Sequence, residues 1–204
     1  MLVHAIHSLS ASHALDLIVV AAPVAQVDEV RSMLGQAEFA ADVLVVSGGD
    51  TRQESVARAL LALPEDVDVV LVHDAARPLV PPEVVAAVVS AVRRGAPAVV
   101  PGIGLADTVK FVDEAGIVTS TPDRSRLRAI QTPQGFRRSV LQSAHAAAES
   151  GQVAATDDAG LVERSGVPIE VIPGHEEAFK VTRPIDLILA EAILARRRGT
   201  GGRG

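Results

Sequence analysis

Apolar residues follow two rhythms along this chain. Short, nearly continuous β-branched runs occur at Leu17–Ala22, Val43–Val46, Val67–Val72 and Ala98–Val100. Continuous apolarity, rather than in-out alternation, is what parallel strands covered on both faces require. Between these runs the apolar positions recur at helical spacing, which predicts helices at about residues 2–12, 26–35, 52–63 and 82–94. Thr51 and Glu54 stand three apart, a capping-box spacing that starts a helix directly after Gly48-Gly49-Asp50. Pro81-Pro82 opens the fourth helix. The alternation predicts an α/β fold with a doubly wound, mostly parallel sheet.

The rhythm breaks between Asp107 and Gln134. Thr108–Val112, a turn at Asp113-Glu-Ala-Gly116 and Ile117–Ser120 read as a β-hairpin too polar for the core, hence a projecting arm. Helices are predicted again at about 137–149 and 157–165, with a strand at 167–172 and another around Phe179-Lys180-Val181. Pro184 opens a last helix whose Ile185, Ile188, Leu189, Ala192 and Ile193 share a face. Residues 195–204 carry little to bury and are expected to be disordered. Without repeats or a composition break, residues 1–194 read as one domain.

Composition narrows the function. Hydrophobic residues make up 48 % and charged residues 22 %, enough to bury a core. With 2 % aromatics and neither Trp nor Tyr, base-stacking platforms have no material. A net charge of -6 argues against a non-specific grip on nucleic acid. The absence of cysteine removes disulfides and thiolate chemistry. The apolar stretch Leu17–Val27 lies between two aspartates and is far shorter than the ~20 residues of a membrane helix. No basic side chain precedes Arg31, unlike a secretory leader. A cytoplasmic protein without a membrane partner is expected. His4 and His7 are one turn apart but nothing completes a zinc site, and no Gly-x-Ser-x-Gly elbow occurs.

Candidate chemistry gathers at strand ends, where open α/β sheets bind ligands. Gly48-Gly49-Asp50-Thr51-Arg52 offers free backbone N–H groups at a helix start, suited to an anion or a base edge, though such a turn is also ordinary. His73-Asp74-Ala75-Ala76-Arg77-Pro78 follows the most apolar strand; Asp74 suits a magnesium ion or a sugar hydroxyl and Arg77 a phosphate, or the two simply brace a loop. Only Lys110 and Lys180 are lysines among 19 basic residues, which singles out Lys180 as a point charge for phosphate. Arg124, Arg126 and Arg128 would share a face if extended. Thr156-Asp157-Asp158 reads as an N-cap with an acidic first turn, or as a polyol site.

Seven motifs in register carry a resemblance. They are Gly48-Gly49-Asp50-x-Arg52-x-x-Ser55-Val56, Val72–Pro78, Asp107–Lys110, Asp123-Arg124, Gln131–Phe136, Thr156–Ala159 and Phe179–Thr182. Together they resemble the 2-C-methyl-D-erythritol 4-phosphate cytidylyltransferases, from about Leu2 to Leu194. The resemblance implies a Rossmann-like, GT-A-like nucleotidyltransferase fold. It also implies transfer of CMP from CTP to methylerythritol phosphate in non-mevalonate isoprenoid synthesis, with Mg2+ and a homodimer formed through the arm. It assigns Gly49, Asp50, Ser55, Asp74 and Ala75 to CTP. Asp74, Ala75, Arg77, Thr108, Arg124, Thr132 and Thr156 fall to the sugar phosphate, some of them reached from the partner's arm. Arg124 and Lys180 are the catalytic cations it implies, and Asp74 the metal ligand.

Two departures accompany it. Met1–His7 corresponds to the helix after the family's opening strand and Gly-rich, Arg-containing loop ending in Pro-Lys, which has no counterpart in these 204 residues. Weak or absent transfer by the chain as written is therefore expected, with exposed apolar sheet edges. Gly160 stands where the family commonly has Ser. The competing expectations are a ribitol 5-phosphate cytidylyltransferase and a non-catalytic sugar-phosphate-binding remnant.

Overall fold

The computed structural model describes residues 1–151 and 156–201. In chain order the first half runs α1 (Leu2–Ser10), β1 (Leu17–Ala22), α2 (Val27–Leu34), β2 (Asp42–Ser47), α3 (Arg52–Leu61), β3 (Val69–Val72), α4 (Pro82–Arg93) and β4 (Ala98–Ile103). Every helix and strand of this half was expected from the apolar pattern, with ends displaced by a few residues. The arm pairs β5 (Phe111–Val112) with β6 (Val118–Ser120), and its turn is closed by the Asp113 carboxylate, which accepts from the Ala115 and Ile117 amides. The second half adds β7 (Ala129–Ile130), β8 (Gln134–Arg137), α5 (Arg138–Gly151), α6 (Asp158–Arg164), β9 (Ile169–Pro173) and α7 (Pro184–Gly201).

The strands form an α/β arrangement whose longest ladders are parallel, β1 with β2 and β4 with β9. Strand β8 runs antiparallel between β3 and β4, and β7 antiparallel on β4. Neither β7 nor β8 was expected. They are short, and Gln134-Gly135-Phe136-Arg137 has a single large apolar residue to announce it. Gly135 is there because α4 crosses the strand: a Cβ would lie 2.4 Å from Val88 Cγ1. Strands β1 and β3 each have one ladder partner among the described residues, so each leaves an edge unpaired. Both still contribute to one apolar cluster, where Ile18 and Leu71 join Ile6, Val80, Val84 and Val85.

Three further expectations are corrected. Phe179–Val181 is not a strand; a 3-10 turn at Glu176–Ala178 leads into extended backbone, tied down where the Val181 amide donates to the Ala76 carbonyl. Arg124–Arg126 forms a 3-10 turn capped by Asp123, so the three arginines do not alternate along a strand. Finally, α7 does not stop at Leu194. Arg196 and Arg197 both pair with Glu177, and Arg197 Nη2 donates 2.9 Å to the Leu79 carbonyl, so the basic residues have a carboxylate to extend the helix toward. Burial pushes the Glu177 carboxyl up, but the two arginines outweigh it and hold it below its ordinary range. Residues 202–204 lie outside the described residues. The apolar face of α7 points outward, with Ile185, Ile188 and Leu189 each more than half exposed.

Candidate active site

The loop after β2 is shaped by its glycine. A Cβ on Gly49 would lie 2.2 Å from Glu54 Cβ, so only glycine lets the backbone turn this tightly onto α3. Thr51 caps α3 by accepting from the Glu54 amide at 3.1 Å. Glu54 reaches back to the Asp50 amide at 2.8 Å, one residue beyond the capping-box partner. Ser55 Oγ accepts from the Gly49 amide and donates to the Thr51 carbonyl. Ser55 therefore fixes the loop, while the Asp50 side chain stays exposed.

At the carboxyl end of β3, Asp74 gathers the charge. Lys180 Nζ lies 2.9 Å from its Oδ2 and Arg52 Nε 3.5 Å from its Oδ1. Partial burial pushes the Asp74 carboxyl up, but Lys180 first, then Arg52 and Arg77, hold it below its ordinary range. Lys180 is nearly half exposed, free to present its remaining N–H bonds to an arriving phosphate. Ala75, next along, is exposed.

Hydrogen-bond direction around Thr132 is settled by elimination. The Arg77 carbonyl can only accept, so His73 Nε2 carries the proton it donates there at 3.0 Å. His73 Nδ1 is then an acceptor, and Thr132 Oγ1 donates to it at 2.9 Å while accepting from the Asp74 amide at 3.0 Å. Thr132, almost fully buried, spends its hydroxyl proton on orienting the Asp74 loop. Arg77 is similarly engaged, donating to the carbonyls of Ala178 and Ile130. It pins the Lys180 segment to β7, and burial lowers its pKa.

Burial drives His73 down to about 4, so it is neutral at pH 7. A base whose folded pKa is depressed contributes stability that is full above its unfolded value of 6.5 and falls as pH drops toward 4. Unfolding free energy measured by urea titration is expected to decline between pH 6.5 and 4, and this part of the decline should vanish in His73→Gln. An unchanged profile in the variant would show that His73 does not titrate this way.

The remaining expected residues sit apart. Arg124 donates from Nη1 to the Ala106 carbonyl at 2.6 Å and lines an open groove of about 570 Å³ with Gly104, Leu105, Asp123 and Arg128. Thr108 is exposed on the arm. Among the described residues, no ion pair or hydrogen bond joins either to Asp74. Thr156 is exposed, and the cap of α6 is Asp157 rather than Thr156, accepting from the Gly160 amide at 2.8 Å.

Arg52, His73 and Gln134 had no role in the sequence reading, and Asp158 was read only as part of an acidic first turn or a polyol site. Arg52 lies in the Gly48–Val56 motif without an expected role; its place at the first turn of α3, right after the glycine loop, was the available signal. His73 gave none beyond its neighbours. Gln134 bridges β8 to α6, donating to Asp157 Oδ2 at 2.7 Å and accepting from the Ala159 amide at 3.0 Å. Asp158, wholly buried, takes Arg52 Nη1 at 2.7 Å and His145 Nε2 at 2.9 Å.

A family model described as IspD, 2-C-methyl-D-erythritol 4-phosphate cytidylyltransferase, matches residues 1–196. The chain belongs to this family. It is 55 % identical over 210 residues to the 2-C-methyl-D-erythritol 4-phosphate cytidylyltransferase of Streptomyces avermitilis, covering 99 % of this chain and 83 % of that one. The Frankia casuarinae enzyme of the same name is 59 % identical, with 96 % and 71 % covered. The structure is similar to 4-diphosphocytidyl-2C-methyl-D-erythritol synthase from Anaerococcus prevotii, with TM-score 0.87, 28 % identity and 95 % and 88 % covered. It also resembles the Thermus thermophilus cytidylyltransferase, with TM-score 0.68, 42 % identity and 75 % and 73 % covered. The motif resemblance is borne out, and with it the α/β nucleotidyltransferase class of this IspD family member. No helix among the described residues is long and apolar enough to cross a membrane.

Proposed function

We propose that this IspD-family chain transfers CMP from CTP to 2-C-methyl-D-erythritol 4-phosphate, releasing pyrophosphate. The observation that carries the reading is the convergence of Arg52 and Lys180 on Asp74 at the end of β3, within a chain of this family. The 4-phosphate oxygen attacks the α-phosphorus of CTP, a P–O bond forms there, and the bond to the pyrophosphate oxygen breaks. Such a transfer asks for positioning and positive charge rather than acid-base chemistry. The Gly49–Ser55 loop, its Gly49 and Asp50 amides held internally by Ser55 and Glu54, forms the cytosine side of the site, and Lys180 orients the attacking phosphate. Arg124 and Thr108, with the exposed Phe111, Val112, Ile117 and Val118 of the arm, favour a homodimer in which the arm completes a partner's site.

Magnesium fits as an ion carried in by the triphosphate. No group of three His, Asp or Glu side chains able to hold a metal occurs among the described residues, whereas Mg2+ commonly takes one carboxylate plus phosphate oxygens and water. Asp74 is the carboxylate in place. The ion would offset charge on the departing pyrophosphate.

The test is pyrophosphate release on mixing CTP, Mg2+ and either methylerythritol phosphate or ribitol 5-phosphate. A rate that requires CTP and methylerythritol phosphate, even a slow one, is the expected result. A preference for ribitol 5-phosphate, or no rate with calorimetric binding of the sugar phosphate alone, would overturn it.

A further inference from the structure

The least exposed ionic group near Asp74 lies behind it, on α6. Asp158 has no solvent exposure, and its carboxylate is shared between His145, itself 4 % exposed, and Arg52. Taking a carboxylate fully out of water is expensive, and buried ion pairs add little net stability against apolar replacements of the same size. What this pair does is geometric. Arg52 Nη1 is held 2.7 Å from the buried Asp158 while Nε of the same guanidinium faces Asp74 Oδ1 at 3.5 Å. Arg52 is thus paired behind the site through Nη1 and meets Asp74 through Nε. Asp74 keeps its other oxygen for Lys180. Gln134 locks the anchor from β8 through Asp157 and the Ala159 amide on either side of Asp158 in sequence.

We propose that Asp158, backed by His145, is a positioning residue for the transfer reaction: it holds Arg52 so that Asp74 is braced without being neutralised by a two-pronged arginine pair. This rests on the transfer function proposed above. Without Asp158, Arg52 turns both prongs onto Asp74, the geometry that guanidinium and carboxylate prefer. Asp74 then releases Lys180, and the phosphate-orienting charge loses its position.

Two measurements test it. In the ligand-free chain, nitrogen-15 spectra of the arginine side chains should show a slowly rotating Arg52 guanidinium with separate Nη signals. In Asp158→Asn these should change to the pattern of a guanidinium facing Asp74 alone. Unchanged Arg52 signals overturn the proposal, whatever the enzyme activity. In the transfer assay, Asp158→Asn and Arg52→Gln should each lower kcat about 10-fold with KM for CTP little changed, and the double variant should be no slower than Arg52→Gln. Independent, multiplying losses overturn it, as does a lower melting temperature with kcat intact. If Asp158→Asn does not fold, His145→Gln takes its place in both measurements. Failure of the parent chain to transfer CMP counts against the proposed function, and the Arg52 spectra then decide the present point alone.

Discussion

Replacing Lys180 with alanine is expected to lower turnover about 100-fold, the scale seen when one preorganised charge is removed from a charge-developing reaction. The argument is local. Lys180 reaches Asp74 from the segment between the Glu176–Ala178 turn and α7, and that segment is held by Arg77 at the Ala178 carbonyl and by the Val181 amide at Ala76. Truncation leaves both tethers, so the loss is of charge and not of fold. Because the ammonium is nearly half exposed, its pair with Asp74 contributes little stability, and the melting temperature should move by no more than about 2 °C. Calorimetric affinity for methylerythritol phosphate should fall about 10-fold or more, the worth of one charge-assisted hydrogen bond. Lys180→Arg should recover only part of the turnover, since a planar fork cannot occupy the place of a compact ammonium beside Asp74. Full turnover in the alanine variant would remove Lys180 from the mechanism.

The first half of the fold was legible because its elements obey local rules. Val69–Val72 is an apolar run, Thr51 is a helix cap with its partner in place, and Pro82 stands in the first turn of α4. Strand β8 escaped because its identity comes from its neighbours. Gly135 would be a poor strand residue in isolation, and it is required here by α4 pressing on the sheet. The continuation of α7 past Leu194 escaped for a similar reason. Arg196 and Arg197 look like a solvated tail until Glu177, some twenty residues earlier, is placed beside them.

The site divides along the same line. Asp74 and Lys180 were legible as a strand-end carboxylate and an unusual lysine, and they meet at 2.9 Å. Thr132 was read as a phosphate contact, yet its hydroxyl is committed to His73 and the Asp74 amide. Those two bonds tie it to the Asp74 loop, a link that no spacing rule announces. Asp158 was read as part of a helix's acidic first turn or of a polyol site, and the first is correct for its backbone position. The side chain turns inward, away from the dipole-favoured solvent face, because His145 and Arg52 arrive from α5 and α3, contacts more than a dozen residues distant in sequence.

Phe136→Ala is expected to be the most destabilising single truncation argued from this structure. The chain has four phenylalanines and no other large aromatic, so its core is made of small aliphatic side chains that cannot expand into a ring-sized void. Phe136 has no solvent exposure and stands in β8 opposite Val70 on one side and Ala98 on the other. Beneath it, Leu141, Ala144 and Val162 bring α5 and α6 onto the sheet. Truncation removes the largest fully buried side chain of this cluster and leaves a cavity, at a cost of about 3–5 kcal/mol. For a chain of this length that is a fall of roughly 10 °C in melting temperature. The control is Phe111→Ala on the arm, where the ring is 59 % exposed and the loss should stay within about 0.5 kcal/mol. Equal losses at the two positions, measured by urea unfolding on the same preparation, would mean that β8 does not carry the core as described. The site would feel the difference too. Gln134 and Thr132 lie within four residues of Phe136, so loosening β8 releases the Asp157 cap and the Asp74 loop together.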